Sequence, residues 1–196
     1  MVDGGPTANP STSELLAAIR ATGAGRVVLL PNDSNVHAVA SVAAAEARTQ
    51  GIRVGVVPTR SPVQALAAIA VRDPNRRFND DLIAMAEAVG ACRYAEVTIA
   101  VRAALTMAGR AEPGDVLALV EGEVNLIGPD LVEVCRTVLD RMLGGGGELV
   151  TLLVGEDAPP DLGEELTAHI AAAWPFAEVQ VYQGGQPNYP LLIGVE

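Results

Sequence analysis

Short runs of Val, Leu and Ile recur along this chain, and Ala-rich segments with apolar residues every three to four positions separate most of them. A strand, a helix of ten or more residues and another strand make a crossover unit. Such a chain is confined to an α/β fold with mainly parallel sheets. Ser11-Thr12-Ser13-Glu14 has the spacing of a capping box, so a helix should run from there to about Ala21 and close at Gly23. Residues 26–30 read as a buried strand, and Pro31-Asn32-Asp33-Ser34-Asn35 as a turn that caps the next helix. In that helix Val36, Val39, Ala40, Ala43 and Ala47 share one stripe, and Gly51 stops it. Residues 52–57 form the next strand. Ser61-Pro62-Val63-Gln64 reads as a second capping box with proline at the first helical position. Asp73-Pro74-Asn75 breaks that helix, and another runs from Asn79 or Asp80 to about Val89.

The second half has a different rhythm. Residues 95–104 alternate and favour a strand, followed by a turn at Glu112-Pro113-Gly114-Asp115. Residues 116–120 and 124–127 flank Glu121-Gly122-Glu123 and read as a hairpin. Pro129-Asp130 opens a helix that ends in four glycines, 144–147. A strand at 148–154 and a helix from Pro159-Pro160-Asp161 to about Trp174 follow. Strands at 179–182 and 191–195 close the chain around Gly184-Gly185-Gln186-Pro187-Asn188-Tyr189-Pro190. The pattern predicts two small α/β lobes, residues 1–95 and 96–196, with the transition within residues 90–115.

Composition excludes several classes of function. The chain has 196 residues, 13 Arg, no Lys and 24 Asp plus Glu, for a formal charge of −11. A nucleic-acid binder needs a basic patch, and this balance points the other way. Without lysine there is no phosphate-loop lysine, Schiff base or kinase ion-pair lysine. Cys92 and Cys135 lie in apolar segments and read as reduced, buried thiols. The first residues have neither a basic start nor an apolar stretch, and no apolar run reaches the roughly twenty residues of a membrane span. A cytoplasmic protein is expected.

No glycine-rich run follows a strand as a dinucleotide fingerprint must, and no Gly-x-Ser-x-Gly elbow exists. His37, His169 and the two cysteines lack metal-ligand spacing. Three loops carry more information. Asn32, Asp33, Ser34 and Asn35 follow a strand and open a helix, at the end of a parallel sheet where ligands bind; the alternative is a well-capped helix. His37 is two residues further on, and a helix histidine near a cap is more often structural or solvated than catalytic. Thr59-Arg60 occupies the equivalent place after the second strand, and Arg60 could hold a phosphate or carboxylate or simply offset nearby acid. The loop 184–190, with two glycines, two prolines and a tyrosine, has a fixed shape suited to recognition, or is a tight connection.

In this order, these loops resemble the C-terminal region of fatty acid kinase A proteins, bacterial relatives of dihydroxyacetone kinase. The matching stretches are Gly4-Gly5-Pro6-Thr7-Ala8-Asn9-Pro10-Ser11-Thr12, Leu30-Pro31-Asn32-Asp33-Ser34-Asn35, Val56-Val57-Pro58-Thr59-Arg60-Ser61 and the loop 184–190. Ala95-Glu96-Val97-Thr98-Ile99-Ala100-Val101-Arg102 and Gly128-Pro129-Asp130-Leu131 are also similar. The family usually has Gln and Met where this chain has Pro6 and Ala8.

The resemblance implies a fold like the N-terminal part of fatty-acid carriers of the DegV family. It implies that the chain is a non-catalytic piece of a longer kinase, so that Met1 is not that protein's natural start. This piece would recruit the carrier so that the bound fatty acid is phosphorylated. ATP and magnesium would bind clustered aspartates of an N-terminal domain absent here, leaving no cofactor or metal on this chain. The resemblance marks Thr7, Asn9, Asn32, Ser34, Asn35, Thr59, Arg60, Gly184, Gly185, Gln186, Pro187 and Tyr189 for partner or ligand binding. A homodimer is left open. The alternative is a small-molecule-binding or dihydroxyacetone kinase-like domain using a cleft near Asn32, Ser34 and His37, since those kinases hold their substrate on a histidine.

Overall fold

The computed structural model describes Val2 and residues 9–196. The Gly4-to-Ala8 part of the first matching stretch, with Thr7, lies outside the described residues. The chain divides into two compact units, Met1–Ala91 and Cys92–Glu196. The division falls just ahead of the strand that begins at Arg93, whereas a cut at 95/96 would pass through it.

The first unit runs α1 (Thr12–Ala21), β1 (Arg26–Leu29), a 3-10 turn (Ser34–Val36), α2 (His37–Thr49), β2 (Arg53–Val56), α3 (Pro62–Ala70) and α4 (Phe78–Ala91). The capping box at α1 forms as expected: Ser11 Oγ accepts from the Glu14 N–H, and Glu14 Oε2 accepts from the Ser11 N–H at 2.7 Å. β1 and β2 pair in parallel, Arg26 opposite Arg53 through Leu29 opposite Val56. Their side chains alternate between two layers. Val27, Leu29, Val54 and Val56 pack with Leu15, Ile19, Ala40, Ala43, Ala44 and Ala47 of α1 and α2. Val28, Leu30 and Val57 pack with Ala68, Met85, Val89 and Leu82 of α3 and α4. Gly55 faces Leu82, whose Cγ would lie 3.0 Å from an added Cβ, so a side chain here would force the Leu82 side chain of α4 aside.

One local expectation fails at α3. Ser61 makes no capping bond; Gln64 reaches one residue further back, and its Oε1 accepts from the Arg60 N–H at 2.9 Å. The Pro62 ring, which removes an N–H at the start of the helix, does stand where expected.

The second unit contains β3 (Arg93–Ile99), β4 (Ala104–Thr106), β5 (Gly109–Ala111), β6 (Val116–Val120), β7 (Glu123–Gly128), α5 (Leu131–Gly144), β8 (Leu149–Val154), α6 (Leu162–Ala173), β9 (Glu178–Gln183) and β10 (Leu191–Val195). Six strands form one sheet in the order β7-β6-β3-β10-β8-β9, and β4–β5 stands apart as a hairpin. Alternate residues of the sheet (Ala95, Val97, Val150, Leu152, Leu191, Ile193) meet Val138, Leu139, Leu143, Leu166 and Ile170 of α5 and α6 in one core.

The α/β fold is as expected, but the expectation of mainly parallel sheets needs correction here. Only β8 and β9 pair in parallel; β7/β6, β6/β3, β3/β10 and β10/β8 are antiparallel. The parallel rule assumes a helical crossover between strands, and several connections here have none. β6 and β7 are joined by Glu121-Gly122, both at positive φ (53° and 87°), the two-residue turn that matches strand twist. β9 reaches β10 through loop 184–190 without a helix, so β10 runs back between β8 and β3. The strand expected at 95–104 is β3, displaced toward the N-terminus, and the β4–β5 hairpin carries no sequence signal.

Both thiols are buried, and burial pushes Cys92 and Cys135 up to about 12 each, with the nearby Glu196 and Glu121 carboxylates adding to Cys92 and Asp130 to Cys135.

Candidate functional site

Parallel pairing of β1 and β2 brings their C-terminal loops to the same end of the sheet. The Val57 N–H donates to the Leu29 carbonyl at 3.0 Å and carries the register past the last paired residues. Beyond it the two loops bind each other. Asn32 sits at φ 60°, a left-handed conformation that asparagine tolerates better than most side chains. This turns its N–H toward Thr59 Oγ1 at 2.9 Å, and the Thr59 hydroxyl donates back to Asn32 Oδ1 at 2.8 Å. Thr59 is 0% exposed.

His37, at the start of α2, closes the other side. Its Nε2 lies 2.7 Å from the Thr59 carbonyl oxygen, which can only accept, so Nε2 carries the proton. Asp33 Oδ1 accepts from the Asn35 N–H at 2.7 Å and holds the turn into the helix. Ser34, Asn35 and Arg60 are exposed. Gln64 bonds the Arg60 N–H through Oε1 and the Val89 carbonyl through Nε2 at 3.2 Å, tying the loop to α3 and α4. Ser61 Oγ is buried with no hydrogen-bond partner among the described residues.

Of the expected site residues, Asn32, Thr59, Arg60, Ser34, Asn35 and the neighbouring His37 thus gather at one end of one small sheet. Asn9 is exposed ahead of α1. The spacing of Ser61 and Gln64 signals a helix cap only, and nothing in it points to their place under the Thr59 loop.

Loop 184–190 belongs to the second unit and is braced on two sides. Gln186 Nε2 donates to the carbonyls of Leu153 (3.0 Å) and Tyr189 (3.1 Å), and its own carbonyl accepts from the Glu156 N–H at 3.2 Å. The Pro190 carbonyl accepts from the Gly155 N–H at 3.0 Å. The Asn188 N–H donates to Asp157 Oδ2 at 3.2 Å, and its carbonyl accepts from Thr98 Oγ1 at 2.7 Å. Gly185 and Asn188 both sit at φ 66°. Gly155 is needed for the close approach: an added Cβ would collide with the Tyr189 carbonyl oxygen and come within 2.8 Å of that of Gln186. Gly184, Gly185, Pro187 and Tyr189 stay exposed at the surface of this frame.

Among the described residues no three His, Cys, Asp or Glu side chains gather as a metal site, and no helix is long and apolar enough to cross a membrane.

Comparison with known proteins gives these loops a setting. The chain is 28% identical over 196 residues to protein YloV of Bacillus subtilis and 29% identical to an uncharacterised protein of Staphylococcus haemolyticus. Each alignment covers 100% of this chain and 35% of the relative, so the chain spans only part of the length of these proteins. In fold it is similar to the Streptococcus pneumoniae fatty acid kinase B3 protein loaded with linoleic acid (TM-score 0.67, 14% identity, 95% of this chain and 76% of that one). It is also similar to a DegV family protein of Eubacterium eligens loaded with heptadecanoic acid (TM-score 0.71, 15% identity, 95% and 78%). A third likeness is to the dihydroxyacetone kinase of C. freundii in complex with AMP-PNP and Mg2+ (TM-score 0.68, 15% identity, 95% and 42%). The FakA-like C-terminal family, the C-terminal part of fatty acid kinase A-like proteins, matches residues 1–196, and the chain belongs to it.

Proposed function

We propose that this chain is the carrier-recruiting domain of a fatty acid kinase. It binds a fatty-acid carrier of the DegV type and holds it while an ATP- and magnesium-binding domain elsewhere in the full protein phosphorylates the acyl carboxylate. Family membership over the whole chain and a fold similar to fatty-acid-loaded DegV proteins support this reading. The observation that carries it is the state of the polar groups. Asn32, Thr59 and His37 bond to one another, and Gln186 and Asn188 are held by their own unit. Groups held in this way give rigid exposed loops rather than a reactive centre. Ser34, Asn35, Arg60, Pro187 and Tyr189 are the exposed positions that would meet the partner. Such a pair would work in the cytoplasm.

Ser61 favours a second reading, a small-ligand site beside Asn32, Ser34 and His37, because its buried Oγ has no partner among the described residues. Titration calorimetry separates the two. The cognate carrier at about 100 micromolar should give a stoichiometric complex, since specific interfaces of ordinary size bind more tightly than that. Heat from a soluble fatty acid alone, with none from the carrier, would replace the first reading with the second.

A further inference from the structure

The formal charge is divided unevenly. Residues 1–91 hold eight Arg and eight Asp plus Glu, whereas residues 92–196 hold five Arg and sixteen Asp plus Glu, so the whole −11 lies in the second unit. Within that unit residues 99–111 are the exception, with Arg102, Arg110 and no acid. They include the β4–β5 hairpin and carry the most exposed large apolar side chains among the described residues: Val101 (90%), Leu105 (88%) and Met107 (90%). A hairpin of two three-residue strands is marginal in water on its own, and tip residues like these gain nothing from solvent. Arg110 pairs with Glu112 at its foot.

The same unit offers a surface of opposite character. β9 is one of the two edge strands of the sheet, and beside it α6 leaves an apolar cleft of about 340 Å³. Gly163, Thr167, Ala168, Ala171 and Val181 line it, and small side chains let a partner backbone come close. Its one acid is Glu164, in the wall. An apolar cavity of about 150 Å³ holds benzene, so this cleft has room for two apolar side chains.

We infer that the two surfaces are partners across two copies of this chain: the β4–β5 hairpin of one copy seats Leu105 and Met107 in the α6–β9 cleft of the other, with Arg102 against Glu164. The contact is made twice around a two-fold axis, which closes the assembly as a dimer. It does not depend on the carrier reading, and its test needs no carrier.

Sedimentation velocity on the 196-residue chain from about 5 to about 500 micromolar tests it. Ionic strength is held at about 0.15 M so that repulsion between the two acidic chains is screened beyond about 8 Å. A monomer–dimer equilibrium is expected. Met107→Asp and Ala168→Asp alter residues of the hairpin tip and the cleft wall, and unchanged circular dichroism would confirm that both variants fold. Each should lower the association constant at least tenfold. An equimolar mixture of the two should dimerise more strongly than either alone, because one hairpin–cleft contact is then intact. A monomer across the whole range, variants that dimerise like the parent, association into open-ended polymers, or a mixture no stronger than its components would each overturn the inference.

Discussion

At residue scale Thr59 joins the two loops of the first unit. Its hydroxyl hydrogen and one lone pair both go to Asn32, and its carbonyl takes the His37 Nε2 proton. Thr59→Ala removes the hydroxyl and leaves the Asn32 N–H and side-chain oxygen without that partner in a half-buried place. Leaving such groups unsatisfied costs about 1–3 kcal/mol. Urea unfolding should show that loss, and Thr59→Ser should recover most of it by restoring the hydroxyl. If Thr59→Ala equals the parent, the reciprocal pair does not stabilise the loops. This pair is not legible in the sequence. Asn32 and Thr59 can be marked as loop residues after parallel strands, but no spacing shows that residues 27 apart share one hydroxyl. The left-handed φ of Asn32 has a signal only in its residue type. The bond from His37 to the Thr59 carbonyl has no sequence signal either, since the two residues are 22 apart.

At element scale, helices are easier to read than strands. The stripe of Ala40, Ala43 and Ala47 fixes the buried face of α2, and a capping box fixes the start of α1, because both signals are local. Strand direction depends on how distant segments connect. Loop 184–190 has the composition of a shaped surface, yet its residues do not say that it sends β10 back between β8 and β3. The bracing partners Leu153, Gly155, Asp157 and Thr98 are equally remote in sequence. Gly155 tests how far this bracing matters. A Cβ at this position meets the carbonyls of Tyr189 and Gln186, which are backbone atoms that cannot rotate away. Gly155→Ala should therefore displace the loop, with amide exchange accelerating at Glu156 and Asn188, whose N–H groups donate to the Gln186 carbonyl and to Asp157 Oδ2, while α5 and α6 stay protected. Under the carrier reading it should also weaken carrier binding in calorimetry. Unchanged exchange at the loop would mean that its shape does not come from the approach to Gly155.

At the scale of the whole molecule, the uneven charge has a thermodynamic consequence. A unit with sixteen acids and five Arg carries repulsion in its folded form that the unfolded chain relieves by spreading out. Its ion pairs, such as Arg136 with Glu133 and Glu165, are exposed or half-exposed and contribute little each. Screening should therefore remove more repulsion than attraction. The chain contains a single reporter for this unit. Trp174 is its one tryptophan, and its Nε1 donates to Asp140 Oδ1 at 2.7 Å, the same oxygen that His169 Nε2 meets at 2.9 Å. Loss of that pocket on unfolding changes the indole's surroundings, so Trp fluorescence follows the second unit. Raising sodium chloride from about 0.1 to about 1 M shortens the screening length from about 10 Å to about 3 Å. The urea midpoint followed by Trp174 should rise. Chloride is preferred to sulfate, which strengthens apolar burial in any protein and would mask the charge effect. A midpoint that falls with salt would mean that the favourable pairs of the second unit outweigh its surplus of acid, so that the −11 does not destabilise the fold that carries it.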